Sequence, residues 1–398
     1  MTPIETLQAR GFIKSHTDLD ALAEAMSAGP VTFYVGFDPT GDSLHVGHLL
    51  PVMAMAHLQR AGHKPIVVLG GGTAMVGDPS GKDKTREILT PQRIQSNLAS
   101  MRVQFDRFLD IDGCEVVDNA DWLMGLGYIE FLRDVGRHFS VNKMMSAEGI
   151  KQRLDRNQGL SFIEFNYHLL QSYDFLVLHD RYGCTLQVGG DDQWFNILGG
   201  VELIRRERQA TSHALTIPLL QTADGKKMGK TEKGAVWLDA AKVSPYDYFQ
   251  YWVNAHDADV GRFLRLYTFM PIEQIAALEA LEGADIRQAK AVLAYEATKL
   301  AHGEAEAIKA RDAAAAAFSG GVSEDMPTVT VTLPMPLLDA LVSAGLCSSK
   351  GDARRQVQGG AIRLGADRGT RADDPHATID QETVVWRGKK NCVRLVAG

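Results

Sequence analysis

Val31-Thr32-Phe33-Tyr34-Val35-Gly36-Phe37-Asp38-Pro39-Thr40-Gly41-Asp42-Ser43-Leu44-His45-Val46-Gly47-His48 is the stretch on which the fold turns. Val31 to Phe37 is rich in β-branched and aromatic residues, the composition of a buried strand. Asp38 to Ser43 is a run of turn formers. Leu44 to Arg60 then reads as a helix, with Ser43 or Asp42 as candidate N-cap and Gly62 as the stop. Lys64 to Leu69 reads as a second strand and runs into Gly70-Gly71-Gly72. Strand, helix and strand joined by tight turns make a βαβ unit, which implies a parallel sheet.

The same alternation continues downstream. Ile88 to Leu109 reads as helix and Cys114 to Asn119 as strand. Tyr128 to Gln158 reads as an insertion of helical pieces. Tyr167 to Leu178 is helical, Thr185 to Val188 is a short strand ending in Gly189-Gly190, and Asp192 to Arg206 is helical. Ser212 to Leu220 leads back into a strand and then into the loop Ala223 to Lys233. The expected fold class is α/β: a Rossmann-like doubly wound parallel sheet in a catalytic domain over residues 1–235, with the insertion at about 120–160. Pro245 to Phe318 is rich in Ala, Glu and Lys, so a helical domain is expected over 236–320. A Gly/Thr/Pro-rich linker over 321–336 and a small α+β domain over 337–398 follow.

At 398 residues, two or three domains are expected, and 45% apolar with 23% charged residues is ordinary for a globular protein. A net charge of −7 argues against a general nucleic-acid coat. From Leu337 to Gly398, however, 10 Lys/Arg stand against 7 Asp/Glu, so the only net-positive piece is C-terminal. By charge alone that piece reads rather as a solvated face. Cys114, Cys184, Cys347 and Cys392 lack metal-ligand spacing, which fits a reduced, cytoplasmic compartment. The first 26 residues hold no apolar stretch of signal-peptide length, and no run of about 18 apolar residues appears anywhere, so no membrane association is expected.

Three segments carry chemistry. His45-Val46-Gly47-His48 sits where a helix opens a βαβ unit. Unpaired N–H groups and the positive dipole end favour an anion there. Imidazoles at i and i+3 present donors on one face, and Gly47 lets a flat ring approach the backbone. Asp224-Gly225-Lys226-Lys227-Met228-Gly229-Lys230-Thr231 is a glycine-punctuated lysine loop, suited to phosphate. Asp78-Pro79-Ser80-Gly81-Lys82-Asp83-Lys84-Thr85-Arg86 follows a strand, where parallel sheets bind ligands. Singly, each is also compatible with an exposed loop or an accidental match.

Together, in this order and separation, they resemble the two signatures of class I aminoacyl-tRNA synthetases. The chain is most similar to the bacterial-type tyrosyl branch over essentially its whole length. That resemblance implies that Tyr34 and Asp174 read the substrate phenol. Tyr167, Gln171 and Asp78 would hold the tyrosine ammonium, Gln193 its carboxylate, and Asp38 would complete the tyrosine site. Tyr167, Gln171 and Asp174 lie at i, i+4 and i+7 and so share one helix face. A buried polar phenol reader rejects phenylalanine by leaving its own groups unpaired, a selectivity already characteristic of that family. Gly36, Gly47, Gly190, Asp192 and Lys230 would bind ATP, with Asp192 on the ribose hydroxyls and His48 beside the ribose. Thr40 and His45 would meet the γ-phosphate, while Lys82, Arg86, Lys227 and Lys230, with Thr231 in the same signature, would neutralise pyrophosphate. Gly229 and Thr231 stand where many class I members have serines, and Asp191 and Phe195 depart from the usual ribose-side residues.

The C-terminal piece resembles an S4-type RNA-binding domain, with Lys350, Arg354, Arg355, Lys389 and Lys390 as phosphate contacts. The resemblance implies tyrosine, ATP and tRNA as substrates, Mg²⁺ accompanying ATP, no protein-held metal, and a homodimer. The segment Tyr128 to Ser146, with Ile129, Phe131, Leu132, Phe139, Met144 and Met145, is the candidate interface. Expected chemistry is attack of the tyrosine carboxylate on the α-phosphorus of ATP, then transfer to a terminal tRNA ribose. Three alternatives stay open: a tryptophanyl enzyme, a small-molecule adenylyltransferase sharing His-x-Gly-His, and an RNA-binding or splicing protein derived from a synthetase.

Overall fold

The computed structural model describes residues 1–398 apart from 79–88, 158, 224, 226–227, 232–233, 320–325, 366–368 and 389–390, and gives the backbone alone at 148, 230–231 and 317–319. The chain divides into two compact units. One comprises Met1–Lys242 with His256–Glu282, the other Val243–Ala255 with Gly283–Gly398.

The first unit is built on a five-stranded sheet: β1 (Thr32–Phe37), β2 (Lys64–Leu69), β3 (Glu115–Asp118), β4 (Cys184–Gly190) and β5 (His213–Ile217), in the order β3-β2-β1-β4-β5. Every pairing is parallel. Five of six residues in β2 and all of β5 are buried, as expected where helices cover both faces. The order reverses between β1 and β4, so a crevice opens at their carboxyl ends, where the chain continues into Asp38 and Asp191. Register sets Tyr34 opposite Ile66 on one side and Gln187 on the other.

The helix Val46–Arg60 follows β1. Buried residues from Val46 to Leu58 surround it, so it is a core helix rather than a half-exposed one. Its N-cap is His45, not Ser43 or Asp42 as the turn chemistry suggested. Ser43 instead turns its hydroxyl to the Leu44 carbonyl and to Gln104. The helix read from residue 88 is observed as Pro91–Phe105, capped by Thr90 with proline in its first turn. The helix read from Tyr167 to Leu178 runs from Phe162 to Tyr182. It starts in a capping box of Ser161 with Glu164 and stops at a left-handed Gly183. A short 3₁₀ turn, Asp191–Gln193, precedes the helix Trp194–Arg208. The insertion is three short helices, Tyr128–Asp134, Val141–Met145 and Glu148–Asp155.

Residues 236–242 and 256–282, which the sequence assigned to a helical domain, belong to the sheet unit. The physical reason is Arg10. Its buried guanidinium donates to the carbonyls of Arg265, Thr268 and Met270 at 2.9, 2.8 and 2.5 Å, so it caps the C-terminal end of the helix Val260–Tyr267. Burial, and then Arg60, bring its pKa down to about 10, so it remains a cation at neutral pH.

The second unit contains the helices Pro245–Val253, Ile286–His302 and Glu304–Ser319 and a small sheet. Sheet order is Thr370–Arg371, Ile362–Leu364, Thr383–Arg387, Asn391–Ala397, Thr328–Val331. The last of these strands lies inside the stretch read as a linker; it pairs parallel with Asn391–Ala397 and buries Val331. The short helices Leu337–Ser343 and Lys350–Gln358 pack over Leu337, Leu341, Val357, Ile362, Val385 and Leu395.

Candidate active site

Tyr34 points from the centre of the sheet with 1% of its surface exposed, its ring edge-on to Phe175 at 5.3 Å. Its phenolic oxygen has no hydrogen-bond partner among the described residues and lines a cavity of about 540 Å³. Burial, and then the Asp174 charge, push this phenol well above its ordinary pKa. The Gln187 carbonyl oxygen, on the neighbouring strand of the same cavity, is likewise buried without a partner. Unpaired polar atoms in a dry wall are costly unless a ligand satisfies them.

Asp174 comes from the long helix and is held by two donors. Trp122 Nε1 donates to its Oδ1 at 2.7 Å and Asn119 Nδ2 to its Oδ2 at 2.9 Å. Burial raises its pKa to about 7 despite these bonds, with Asp38 and Asp118 adding to the shift. A chain of hydrogen bonds leads onward. Asn119 donates to Thr73 Oγ1 at 3.0 Å, Thr73 donates to Asp38 Oδ1 at 2.9 Å, and Tyr167 donates to Asp38 Oδ2 at 3.1 Å. Asn119 Oδ1 in turn accepts the amide of Gly72 at 2.8 Å. These bonds explain two of the three consecutive glycines: a Cβ at Gly70 or Gly71 would lie 2.2 Å from an oxygen of Asp38 or Asp118. Sequence reading missed Asn119, Trp122 and Thr73. The only local signal was their place after β3 and β2, at the carboxyl edge of the sheet.

Gln193 donates to Asp78 Oδ2 at 2.9 Å and accepts from Asn196 at 3.0 Å. Asn196 faces His168, whose ring stacks on Phe195 at 4.3 Å. Phe195 is thus packed against a buried imidazole, which burial holds down to about pKa 4. Asp191 is also turned from the cavity. Its Oδ1 accepts from Ser15 at 2.8 Å and from Thr216 at 2.6 Å. The two unusual ribose-side residues therefore serve packing, and Gly190, Asp192 and Gln193 line the cavity.

The first signature is arranged differently from expectation. The helix-start amides are not left open. His45 Nδ1 accepts from Gly47 N at 3.0 Å and His48 N at 3.3 Å, while Val46 N donates to the Val236 carbonyl. His48 Nδ1 accepts from His45 N at 3.3 Å. An Nδ1 that accepts an N–H cannot carry the proton, so each neutral ring holds it on Nε2. The two rings stack at 3.8 Å, nearly parallel. The helix terminus is thus already engaged by the two imidazoles rather than bare. Gly47 is required by His45 itself, because a Cβ there would stand 2.7 Å from the imidazole.

The second signature lies against the first. Gly229 has φ of +78°, and a Cβ on it would stand 2.8 Å from the Gly47 amide nitrogen, so glycine here replaces the usual serine for two reasons. Val236 N donates to the Gly229 carbonyl at 2.8 Å. His45, Gly47, His48 and Met228 share the cavity with Tyr34, Gly36, Asp38, Thr40, Asp78, Tyr167, Gln171 and Asp174. Lys82, Arg86, Lys227, Lys389 and Lys390 lie outside the described residues, as do the side chains of Lys230 and Thr231. In the second unit, Lys350 pairs with Asp339 at 2.5 Å and Arg355 with Asp352 at 3.7 Å; both side chains are largely exposed, and Arg354 is exposed.

Comparison with known proteins places the chain in a family. The family model for class I tRNA synthetases (W and Y) matches residues 26–319, and that for a tyrosine–tRNA ligase SYY-like C-terminal domain matches residues 318–395. The chain is 50% identical over 397 residues to a tyrosine–tRNA ligase of Clostridium botulinum, covering 98% of this chain and 97% of that one. It is 50% identical over 408 residues to tyrosine–tRNA ligase 1 of Clostridium acetobutylicum, covering 99% of each. Among solved structures, the C-terminally truncated mitochondrial tyrosyl-tRNA synthetase of Aspergillus nidulans superposes with a TM-score of 0.70 at 31% identity, covering 78% of this chain and 92% of that one.

Proposed function

The chain belongs to the class I tRNA synthetases, in their tyrosine–tRNA ligase branch, and from that premise we propose how its cavity does the work. The enzyme activates L-tyrosine with ATP to tyrosyl-adenylate and pyrophosphate, then transfers tyrosine to the 3′ end of its tRNA. One observation carries the assignment of the amino-acid end. The unpartnered Tyr34 hydroxyl and the doubly anchored Asp174 carboxylate face the same cavity. A phenol bridging them donates to Asp174 and accepts from Tyr34, whereas phenylalanine leaves the Tyr34 hydroxyl without a partner and brings Asp174 no third donor.

The Asp78–Gln193 pair reads the other end of tyrosine. Asp78, with Tyr167 and Gln171, takes the ammonium. The second amide hydrogen of Gln193 takes the carboxylate, so one hydrogen-bonded pair holds both charges. The carboxylate is already ionised, so its attack on the α-phosphorus needs no general base. Rate then comes from alignment and from charge stabilisation as pyrophosphate departs. The Nε2–H of His45, with Thr40, meets the γ-phosphate end, and His48 lies by the ribose. Asp192 holds the ribose hydroxyls between Gly36, Gly47 and Gly190. Lys82, Arg86, Lys227 and Lys230, with Thr231, supply positive charge to the departing phosphates. Mg²⁺ would arrive on ATP, whose phosphates supply oxygen ligands of the kind this cation takes.

The C-terminal unit contacts tRNA through Lys350, Arg354, Arg355, Lys389 and Lys390, exchanging the Asp339 and Asp352 pairings for phosphate. The enzyme acts as a homodimer in the cytoplasm. Free cysteines support that compartment, and no described helix is long and apolar enough to cross a membrane. The dimer reading rests on the exposed apolar side chains of the insertion and of the start of the long helix. Amino-acid-dependent ATP–pyrophosphate exchange tests the assignment. Exchange is expected with tyrosine and not appreciably with phenylalanine, the discrimination already characteristic of this family. Equal exchange with phenylalanine would refute the phenol reader.

A further inference from the structure

Asp259 is the N-cap residue of the helix Val260–Tyr267, where a carboxylate ordinarily caps its own helix, yet it makes no such bond. It is 3% exposed and reaches elsewhere. Its Oδ2 accepts from the amide of Ala223 at 2.7 Å, and its Oδ1 accepts from Arg262 Nη2 at 2.5 Å. Arg262 Nη2 donates as well to the carbonyl of Gln221 at 2.7 Å. A carboxylate and a guanidinium from one helix thus close a ring on the main chain of residues 221–223.

That main chain leads directly into the lysine signature beginning at Asp224. The same segment meets the signature again where Met228 N donates to the Leu220 carbonyl at 3.1 Å, immediately before Gly229 settles on Gly47. The clamping helix is itself fixed at its other end by Arg10, and its last residue, Tyr267, lines the cavity. Charge-assisted bonds to backbone are among the stronger ones, and here they hold a segment whose Gln221 lines the cavity and which runs on into the lysine signature.

We propose that Asp259 and Arg262 are positioning residues for adenylate formation. They fix the stalk of the lysine signature so that Lys230 meets the polyphosphate where charge develops. This rests on the reading of Lys230 as a pyrophosphate-side cation. Misplacing such a charge by about 1 Å lowers the rate without touching the tyrosine pocket. A contact that only stabilised the fold would instead leave the rate of the folded enzyme unchanged.

The test is a double-mutant cycle on the full-length enzyme, read by single-turnover adenylate formation and by tyrosine affinity. Asp259→Ala is expected to slow adenylate formation roughly ten- to a hundredfold, with tyrosine Kd changed less than about twofold. Asp259→Asn keeps an acceptor for the Ala223 amide and should recover most of the rate. In the Lys230→Ala background, Asp259→Ala should cost little further, because both changes act through one group. Arg262→Ala, on a half-exposed side chain, carries the same expectation should Asp259→Ala fail to fold. A normal rate in Asp259→Ala and Arg262→Ala overturns the clamp while leaving Lys230 in place. Losses that multiply with Lys230→Ala also overturn it. A normal rate in Lys230→Ala removes the premise and the clamp with it.

Discussion

Asp174 is a carboxylate that two donors hold in place but do not fully compensate. A free aspartate titrates near 3.9, whereas here burial brings the group to about 7. Between those values the folded protein takes up a proton that the unfolded chain does not. Stability from this site is therefore greatest in acid and is lost as pH rises through the folded pKa. A bound phenol donates to the ionised form and offsets that loss, so tyrosine binding is coupled to release of the Asp174 proton. Tyrosine affinity by calorimetry should rise with pH up to about 7 and level off above it, being roughly tenfold weaker at pH 6 than at pH 8. Asp174→Asn should flatten the profile; a wild-type profile already flat from pH 5.5 to 8.5 would contradict the coupling. At this scale the sequence named residues that line one cavity more readily than how they are held. Tyr34, Asp174, Asp78 and Gln193 were legible through motif resemblance. Asn119 and Trp122 were not, because their roles arise only when β3 is set beside the long helix. His45 was misjudged as lying inside its helix, since imidazole is not a usual N-cap, and only the fold reveals its Nδ1 accepting the first amides.

At the scale of the element, the insertion and the start of the long helix stand apart. Tyr128, Ile129, Leu132, Val141, Met145, Phe162 and Ile163 are all exposed although apolar. Of the interface residues read from sequence, Phe131, Phe139 and Met144 turn inward. Phe131 meets Tyr173 and Phe139 meets His168, while Met144 is buried. Ile129, Leu132 and Met145 remain on the surface, joined by Phe162 and Ile163 from the helical turn that the sequence did not reveal. That turn was missed because Phe162-Ile163-Glu164-Phe165 lacks the period of a helix buried on one face; its apolar residues point outward. Apolar side chains left in water on one region mark an association surface. On the proposed homodimer, Ile129→Asp or Phe162→Asp should shift sedimentation of the enzyme towards the monomer, and sedimentation undisturbed by both would remove this surface from the proposed interface. The sheet itself was plain in the sequence, since its strands are short runs with an apolar centre, four of them closed by Gly, Asp or Asn and β5 by Pro218. Two-residue pairings such as Thr370–Arg371 carry too few residues for any pattern.

For the whole molecule, the division into units did not follow the order of the chain. His256–Glu282 reads like its helical neighbours in composition, and its allegiance to the sheet unit depends on Arg10, Asp259 and Arg262, contacts distant in sequence. By contrast, the meeting of the two signatures was foreseeable from their kind. His45-Val46-Gly47-His48 and Met228-Gly229 are far apart along the chain, yet the glycines at 47 and 229 allow their backbones to touch. In the proposed reaction one cavity has two separable ends, a phenol end that selects tyrosine and a phosphate end that acts only as charge moves. Pre-steady-state adenylate formation in Lys230→Ala and Asp174→Ala measures this most directly. Lys230→Ala should slow the chemical step by roughly a hundredfold or more with tyrosine Kd nearly unchanged, and Asp174→Ala should weaken tyrosine binding and relax selectivity. Proportionate losses of binding and rate in both variants would contradict it.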